Sequence, residues 1–498
     1  MRLGRANRMW VATLLGGCIL PVVGCKRETG EAERAAIEGT GVGDSAVSSA
    51  ASTAEVELFP EWAVDARWYY IDVPRFHNGD RSNDRARTLP WSTDWPVGVQ
   101  ADGSPPLDQA GLQALRERRY GGDVEGVRQR LPYLRELGVN ALLLDRALPR
   151  SSTPDADDAA LVEFLREAHA QGFHVVLRAA SLRDSDPSRG KAIEQEFFAE
   201  ALRWMDPDGD GDPSDGVDGW CLDPGTLSPQ RLQRFRQQIT DINPQALLLV
   251  RRQPFRYLPV ASLFYPERKR EREELLAGLG GDATFRAELG TLSELHAASY
   301  SVADDSERDA QWRLATVFLH FYPGAPVTVY GDEVGMFRGA GAPSNPPMWW
   351  NDLPDSGTKS PDYRGDFYAL VQWLHSMRAE HAPLRRGACR AILLDESKKI
   401  LAFARSVPGE EVALAINFGD TKQKVMLPVG KPGQLVYVLS PAIDPERAIR
   451  FWKRKKSGYD PAEIHRLPVG GSKQFVNREG KIRLWVKPMS VRVVLVFD

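Results

Sequence analysis

The sequence predicts an α/β fold, a (β/α)8 barrel of the TIM type, followed by an all-β C-terminal sandwich domain. Three observations predict it. Between residue 66 and about residue 330, short apolar runs alternate with helically spaced segments, the rhythm of a parallel α/β fold. One of those runs, Val217-Asp218-Gly219-Trp220-Cys221-Leu222-Asp223, ends in a carboxylate and is followed at once by Pro224-Gly225; the C-terminal end of a strand is where barrels keep their chemistry. Beyond the helical stretch Asp366 to Glu380 the helices stop and short strands follow one another. The length of the alternating region favours a closed barrel over an open sheet.

Taken in order, the chain begins with Arg2, Arg5 and Arg8 before an apolar run from Trp10 to Val23. That run is short for a membrane span and suits a signal peptide. It ends in Val22-Val23-Gly24-Cys25, which resembles a bacterial lipobox; the resemblance implies cleavage before Cys25 and lipidation of Cys25, the alternatives being Leu15-Gly16-Gly17-Cys18, preceded by a very short apolar run, and a plain secretory signal. Lys26 and Arg27 follow with no Asp, which points to the outer membrane. Residues 26–57, mostly Ala, Gly, Ser, Thr and Glu, bury no core and make a flexible tether. The expected division is therefore 1–25 signal peptide, 26–57 tether, 58–383 barrel and 384–498 β-sandwich.

Ala66 to Val73 is an aromatic and β-branched strand. A polar stretch follows, then a helix from Val124 to Leu137 with Gly138 as its stop, and an apolar strand from Val139 to Leu144. The rhythm repeats as helix Leu161 to Gln171, strand Phe173 to Leu177, helix Phe197 to Met205, the strand ending at Asp223, helix Pro229 to Ile242 and strand Ala246 to Val250. Helix Ala310 to His320 and strand Pro326 to Tyr330 come later. The expected C-terminal strands are Ala391 to Leu394, Ile400 to Ser406, Glu411 to Asn417, Lys422 to Leu427, Val436 to Leu439 and Val491 to Phe497.

Of 498 residues, 42% are hydrophobic and 26% charged, with a formal net charge of −3, so the composition is that of an ordinary globular protein and points to no nucleic-acid partner. Of the four cysteines, Cys18 and Cys25 fall in the export signal, which leaves Cys221 and Cys389 and no disulfide framework. The acidic loop Asp206, Asp208, Asp210, Asp212, Asp215 starts like an EF-hand, but its twelfth position would be Val217, where a bidentate Glu is needed. It is either a hard-cation loop of another kind or a solvated acidic turn.

Several motifs together resemble the α-amylase family, glycoside hydrolase family 13, of the neopullulanase and cyclomaltodextrinase kind. Phe76-His77-Asn78-Gly79-Asp80-Arg81-Ser82-Asn83-Asp84 resembles the family's calcium loop. Gly121-Gly122-Asp123-Val124-Glu125-Gly126-Val127 resembles the approach to its second strand. Gly324-Ala325-Pro326-Val327-Thr328-Val329-Tyr330-Gly331-Asp332-Glu333-Val334-Gly335-Met336 resembles its eighth strand, and Pro347-Met348-Trp349-Trp350 the segment after it. The resemblance spans about Trp68 to Asp498. It implies a Ca²⁺ site at Asn78, Asp80, Asn83, Asp84, Gly121 and Asp123, and an α-glucan as partner alongside the membrane reached through the anchor. Trp349 and Trp350 either stack on sugar rings or pack against the barrel rim.

Such enzymes are retaining glycosidases, which need a nucleophile and a general acid about 5–5.5 Å apart. The nucleophile position is kept as Asp223, and the seventh strand's Asp as Asp305. Elsewhere the site departs from the pattern. The third strand carries Arg178 for Asp, with Leu182 and Arg183 for Asn and His. The fourth strand carries Cys221 for Arg. The fifth reads Val250-Arg251-Arg252-Gln253, with Arg252 in place of the general acid, and Asp304 stands for His beside Asp305. The loop after Leu144 also lacks the family's His and Tyr. The expectation is that Arg178 or Arg252 pairs with Asp223 or Asp305 and that glycosidase activity is lost or much reduced. The alternative is an active enzyme using Asp223 with a relocated acid such as Asp304.

Overall fold

The computed structural model describes residues 59–91, 93, 109–147, 154–179, 190–223, 227–250, 256–257, 260–264, 269–279, 289–291, 305–336, 346–350, 365–441 and 469–498. Cys25, the signal and the tether lie outside these residues, as do Arg252 and Asp304.

Eight strands make one parallel sheet, in the order β5-β4-β3-β2-β1-β8-β7-β6. They are β1 (Trp68–Asp72), β2 (Ala141–Asp145), β3 (His174–Arg178), β4 (Gly219–Leu222), β5 (Leu247–Val250), β6 (Arg256–Tyr257), β7 (Leu289–Thr291) and β8 (Ala325–Val329). This is the cyclic strand order of a (β/α)8 barrel, with β1 between β2 and β8. β1, β2, β4 and β5 are buried at every position. Their near-continuous apolar runs are what strands covered on both faces require. At the start of β4, a Cβ on Gly219 would come within 2.2 Å of the Leu247 carbonyl oxygen, so glycine is needed for β4 to lie against β5.

The expected helix Val124 to Leu137 is two helices, Val124–Gln129 and Leu131–Glu136. Pro132 lies in the first turn of the second, where a residue without an N–H is tolerated but cannot continue the first. Other helices start earlier than their apolar spacing suggests: Pro154–Ala170, Gly190–Arg203 and Asp305–Phe321. The first turns of Pro154–Ala170 and Asp305–Phe321 are rich in acidic and polar residues, which carry no apolar spacing.

The C-terminal residues form a six-stranded antiparallel sheet, β14-β13-β16-β11-β10-β9, and a two-stranded ribbon, β12-β15. Its strands are β9 (Ala388–Asp395), β10 (Ile400–Val407), β11 (Glu410–Asn417), β12 (Gln423–Pro428), β13 (Leu435–Pro441), β14 (Val469–Phe475), β15 (Lys481–Val486) and β16 (Ser490–Phe497). Val425, Leu427, Ile482 and Leu484 of the ribbon share a core with Ala413, Val436 and Val494 of the sheet, which makes a sandwich. The other face of the large sheet packs on barrel helices, with Phe403, Leu414 and Val493 against Trp312, Phe318 and Leu374.

Two fully buried arginines tie this junction. Arg378 donates to the carbonyls of Val64, Ala66, Gly324 and Leu384. Arg405 donates to those of Leu384, Gly387 and Tyr322.

Candidate functional site at the barrel mouth

The barrel register gathers charge at one end. Asp72, Asp145, Arg178 and Cys221 stand side by side on β1 to β4, and Asp223 follows directly after β4. Each apolar run ends in a charged residue: Ile71-Asp72, Leu144-Asp145, Leu177-Arg178, Leu222-Asp223. Parallel pairing turns those four sequence endings into one cluster.

Arg178 is the centre of it. Its Nη1 donates to Asp145 Oδ2 at 2.7 Å and its Nη2 to Asp223 Oδ1 at 3.0 Å. Tyr70 donates its hydroxyl to the same Asp145 oxygen at 2.8 Å. The three ionic side chains keep only 12–23% of their exposure, so the bridge is shielded from solvent. Burial alone would push the Arg178 guanidinium down; Asp145, Tyr70 and Asp223 outweigh it and hold the group firmly charged. Burial, then the charge of Asp145, pushes the Tyr70 phenol well up, so it stays a neutral donor. Beside this bridge Arg146 donates to Asp72, with Nε at 2.7 Å from Oδ1. Arg146 sits at a φ of 60°, a left-handed backbone that non-glycine residues seldom adopt.

The expected contact of Arg178 with Asp223 is therefore present. The partners Asp145, Tyr70, Asp72 and Arg146 are additional. Asp305 is the first residue of the helix Asp305–Phe321. Arg252 and Asp304, the other expected members, fall outside the described residues.

One carboxyl nearby has the acidity that a general acid needs, but it is sealed. Glu333, in the turn after β8, is fully buried, and burial raises its pKa to about 7. Tyr69 and Tyr133 donate to its Oε1 at 2.6 and 2.8 Å, and the Gly331 N–H to its Oε2 at 3.0 Å. It is a structural clasp. Because its folded pKa lies above the ordinary 4.5, its contribution to stability is full below about pH 4.5 and is lost as pH rises through 7. The loss is about 3 kcal/mol. Denaturant titrations across that window are expected to show the slope in the native chain and not in Glu333→Gln; an equal slope in both would assign it elsewhere.

The segment expected to hold a cation is organised by Asp123. Its Oδ1 accepts from the N–H groups of Gly79 and Gly126, and its Oδ2 from the Asp80 N–H and the Asn83 amide. Asp123 thus caps the helix Val124–Gln129 and its acceptor capacity is spent on the loop. Asn78 donates to both oxygens of Asp84, at 3.0 and 3.2 Å, while its own Oδ1 is buried without a hydrogen bond. A Cβ on Gly121, whose φ is 75°, would lie 2.0 Å from Asp84 Oδ1, so this glycine lets the loop close on the two side chains. An unsatisfied Asn oxygen next to a carboxylate fits a hard cation. Asp123 fits the role of loop organiser better than that of ligand.

The acidic turn is self-contained. Asp206, Asp208, Asp210 and Asp212 each accept from backbone N–H groups of the same turn. Among the described residues, Asp206, Asp208 and Asp210 can bring one oxygen each within 4.8 Å of one another.

Trp350 is packing rather than a sugar platform. It is 2% exposed, donates to the Phe76 carbonyl, and has the Arg130 guanidinium 4.0 Å over its ring. Trp349 is half-buried against the same core.

No family model matches the chain. Among curated proteins it is 25% identical over 465 residues to neopullulanase 2 of Thermoactinomyces vulgaris, covering 76% of this chain and 74% of the relative. It is 24% identical to a cyclomaltodextrinase of a Bacillus species, covering 73% and 74%. Among solved structures it matches a cyclomaltodextrinase with a TM-score of 0.60 at 18% identity, over 88% of this chain and 79% of that one. It also matches the cyclic α-maltosyl-(1→6)-maltose hydrolase of Arthrobacter globiformis with a TM-score of 0.56 at 17% identity, over 89% and 100%. These structures share its fold, a barrel followed by a β domain. With the motifs around β1, β2 and β8, these likenesses support placing the chain with the α-amylase family, on its neopullulanase-like side.

Proposed function

We propose that this chain is an exported α-amylase-family protein directed at α-glucans, with glycosidase activity lost or much reduced. The observation that carries this reading is the bridge from Arg178 to Asp145 and Asp223. A carboxylate nucleophile attacks the anomeric carbon through one oxygen, and a guanidinium bound to the group draws down the electron density it attacks with. Here Asp223, at the nucleophile's position, is hydrogen-bonded by a guanidinium that replaces an acid. The general acid's position carries Arg252 in the sequence. Loss of a general acid costs ~10²–10⁴ in rate, and members of one catalytic unit fail together. The α-glucan direction rests on relatives named neopullulanase and cyclomaltodextrinase. Those names also favour a second reading, an active hydrolase or transglycosylase using Asp223 with a relocated acid. Hydrolysis of cyclodextrin, pullulan and maltooligosaccharides by the purified protein separates the two.

The same proposal includes lipidation at Cys25, to be checked by mass spectrometry of the membrane-extracted protein, where an unmodified Cys25 would refute it. It also includes one Ca²⁺ held by Asn78, Asp80, Asn83, Asp84 and the Gly121 carbonyl. A cation bound only by the folded state stabilises by RT ln(1 + [L]/Kd). EDTA is expected to lower the melting temperature of the native chain and leave that of Asp80→Ala unchanged. A native melting curve indifferent to chelation would remove the cation from the account.

A further inference from the structure

The ribbon β12-β15 presents a face that the barrel chemistry does not use. Antiparallel pairing sets Lys424 opposite Trp485, Met426 opposite Arg483 and Pro428 opposite Lys481. All but the half-buried Lys481 are exposed, while the alternate residues Val425, Leu427, Ile482 and Leu484 fill the sandwich core. Trp485 keeps 49% of its exposure and Met426 38%. Lys422 adds a further cation, its Nζ 4.5 Å over the Trp485 ring. The acid at the ribbon's turn, Glu479, pairs with Lys481 at 3.5 Å.

Charge is divided along the chain in the same sense. Residues 384–498 contain 22 Lys and Arg against 11 Asp and Glu, whereas residues 1–383 contain 42 against 56. The overall charge of −3 conceals a basic C-terminal part and an acidic remainder. Such asymmetry marks a contact with an extended anionic surface. The detail selects the surface. A Trp and a Met set among Lys and Arg suit the bilayer interface, where the ring sits at headgroup depth and the cations meet phosphates. No described helix is long and apolar enough to cross a membrane.

We infer that Lys422, Lys424, Met426, Arg483 and Trp485 form a docking face for an anionic phospholipid bilayer, which turns the acidic barrel away from it. Each Lys or Arg near such a surface contributes about a fivefold gain in partitioning.

The full-length Cys25→Ser chain, which carries no acyl anchor, and its variants are sedimented with vesicles of phosphatidylcholine alone and of phosphatidylcholine with phosphatidylglycerol. The Cys25→Ser chain is expected to bind the anionic vesicles at least about tenfold better, and to lose that preference near 1 M salt, where the Debye length is about 3 Å. Lys424→Ala/Arg483→Ala is expected to lower binding to anionic vesicles by about twentyfold with an unchanged melting temperature. Trp485→Ala is expected to lower it less and independently of salt. Lys269→Ala/Arg270→Ala, on an exposed barrel helix, makes the same change in net charge and is expected to bind as the Cys25→Ser chain does. Equal binding to both vesicles, or an equal loss in the barrel-helix variant, would overturn the inference. So would retention of single-stranded DNA in place of vesicles through the same residues.

Discussion

Arg178→Ala is expected to destabilise the fold by about 2–4 kcal/mol. Removing one partner of a buried ion pair leaves uncompensated charge, which costs ~3–5 kcal/mol when burial is complete. Here the three side chains retain 12–23% exposure, which lowers the figure. Two carboxylates that shared one guanidinium are left near each other, and of its described hydrogen bonds Asp145 keeps the one from the Tyr70 hydroxyl. Adding Asp145→Asn to Arg178→Ala is expected to recover part of the loss, because it removes one of the stranded charges. Arg178→Asp, which restores the family's residue, is expected to be worse than alanine, since it adds a third acid. Denaturant unfolding reads all four proteins. A loss below about 0.5 kcal/mol in Arg178→Ala would mean the bridge is an ordinary surface pair.

Arg378→Ala is expected to cost more, about 4–5 kcal/mol. The side chain is fully buried and donates to four backbone carbonyls from three places: the segment before β1, the start of β8 and the turn into the β domain. Alanine leaves a cavity and unsatisfied acceptors, each of which is costly alone. Arg378→Met separates the two causes. It restores most of the volume and none of the donors, so it is expected to recover less than half of the loss. Full recovery with methionine would show that volume, not hydrogen bonding, is what the junction needs.

The barrel was legible because its strands are apolar runs too short for helices and are bounded by turn residues. Leu142-Leu143-Leu144 and Leu247-Leu248-Leu249 declare themselves without tertiary information. Helix starts were less legible, since the first turns of Pro154–Ala170 and Asp305–Phe321 are polar and contribute nothing to the apolar stripe. β14 is hidden by its composition: Val469-Gly470-Gly471-Ser472-Lys473-Gln474-Phe475 lies at the sheet's edge, where pairing comes from the backbone. β15 did carry a signal, because Ile482, Leu484 and Val486 alternate with Lys481, Arg483 and Trp485.

In the site, Asp223 and Arg178 stood out through their positions in the family's pattern. Asp145 and Asp72 did not, for a physical reason. Their partnership depends on register across β1, β2 and β3, and a one-residue slip would turn each to the other face. Asp123 shows the opposite limit. Its residue type suits a ligand, and only its four hydrogen bonds reveal that its oxygens are already engaged.

The central claim is that the barrel mouth is an ion network in place of a working glycosidase site. Turnover of maltooligosaccharides, cyclodextrin and pullulan by the purified native protein, run beside Asp223→Asn, tests it most directly. Turnover at or near background is expected, with no difference between the two proteins. Robust hydrolysis by the native chain that disappears in Asp223→Asn would contradict it and make Asp223 a working nucleophile.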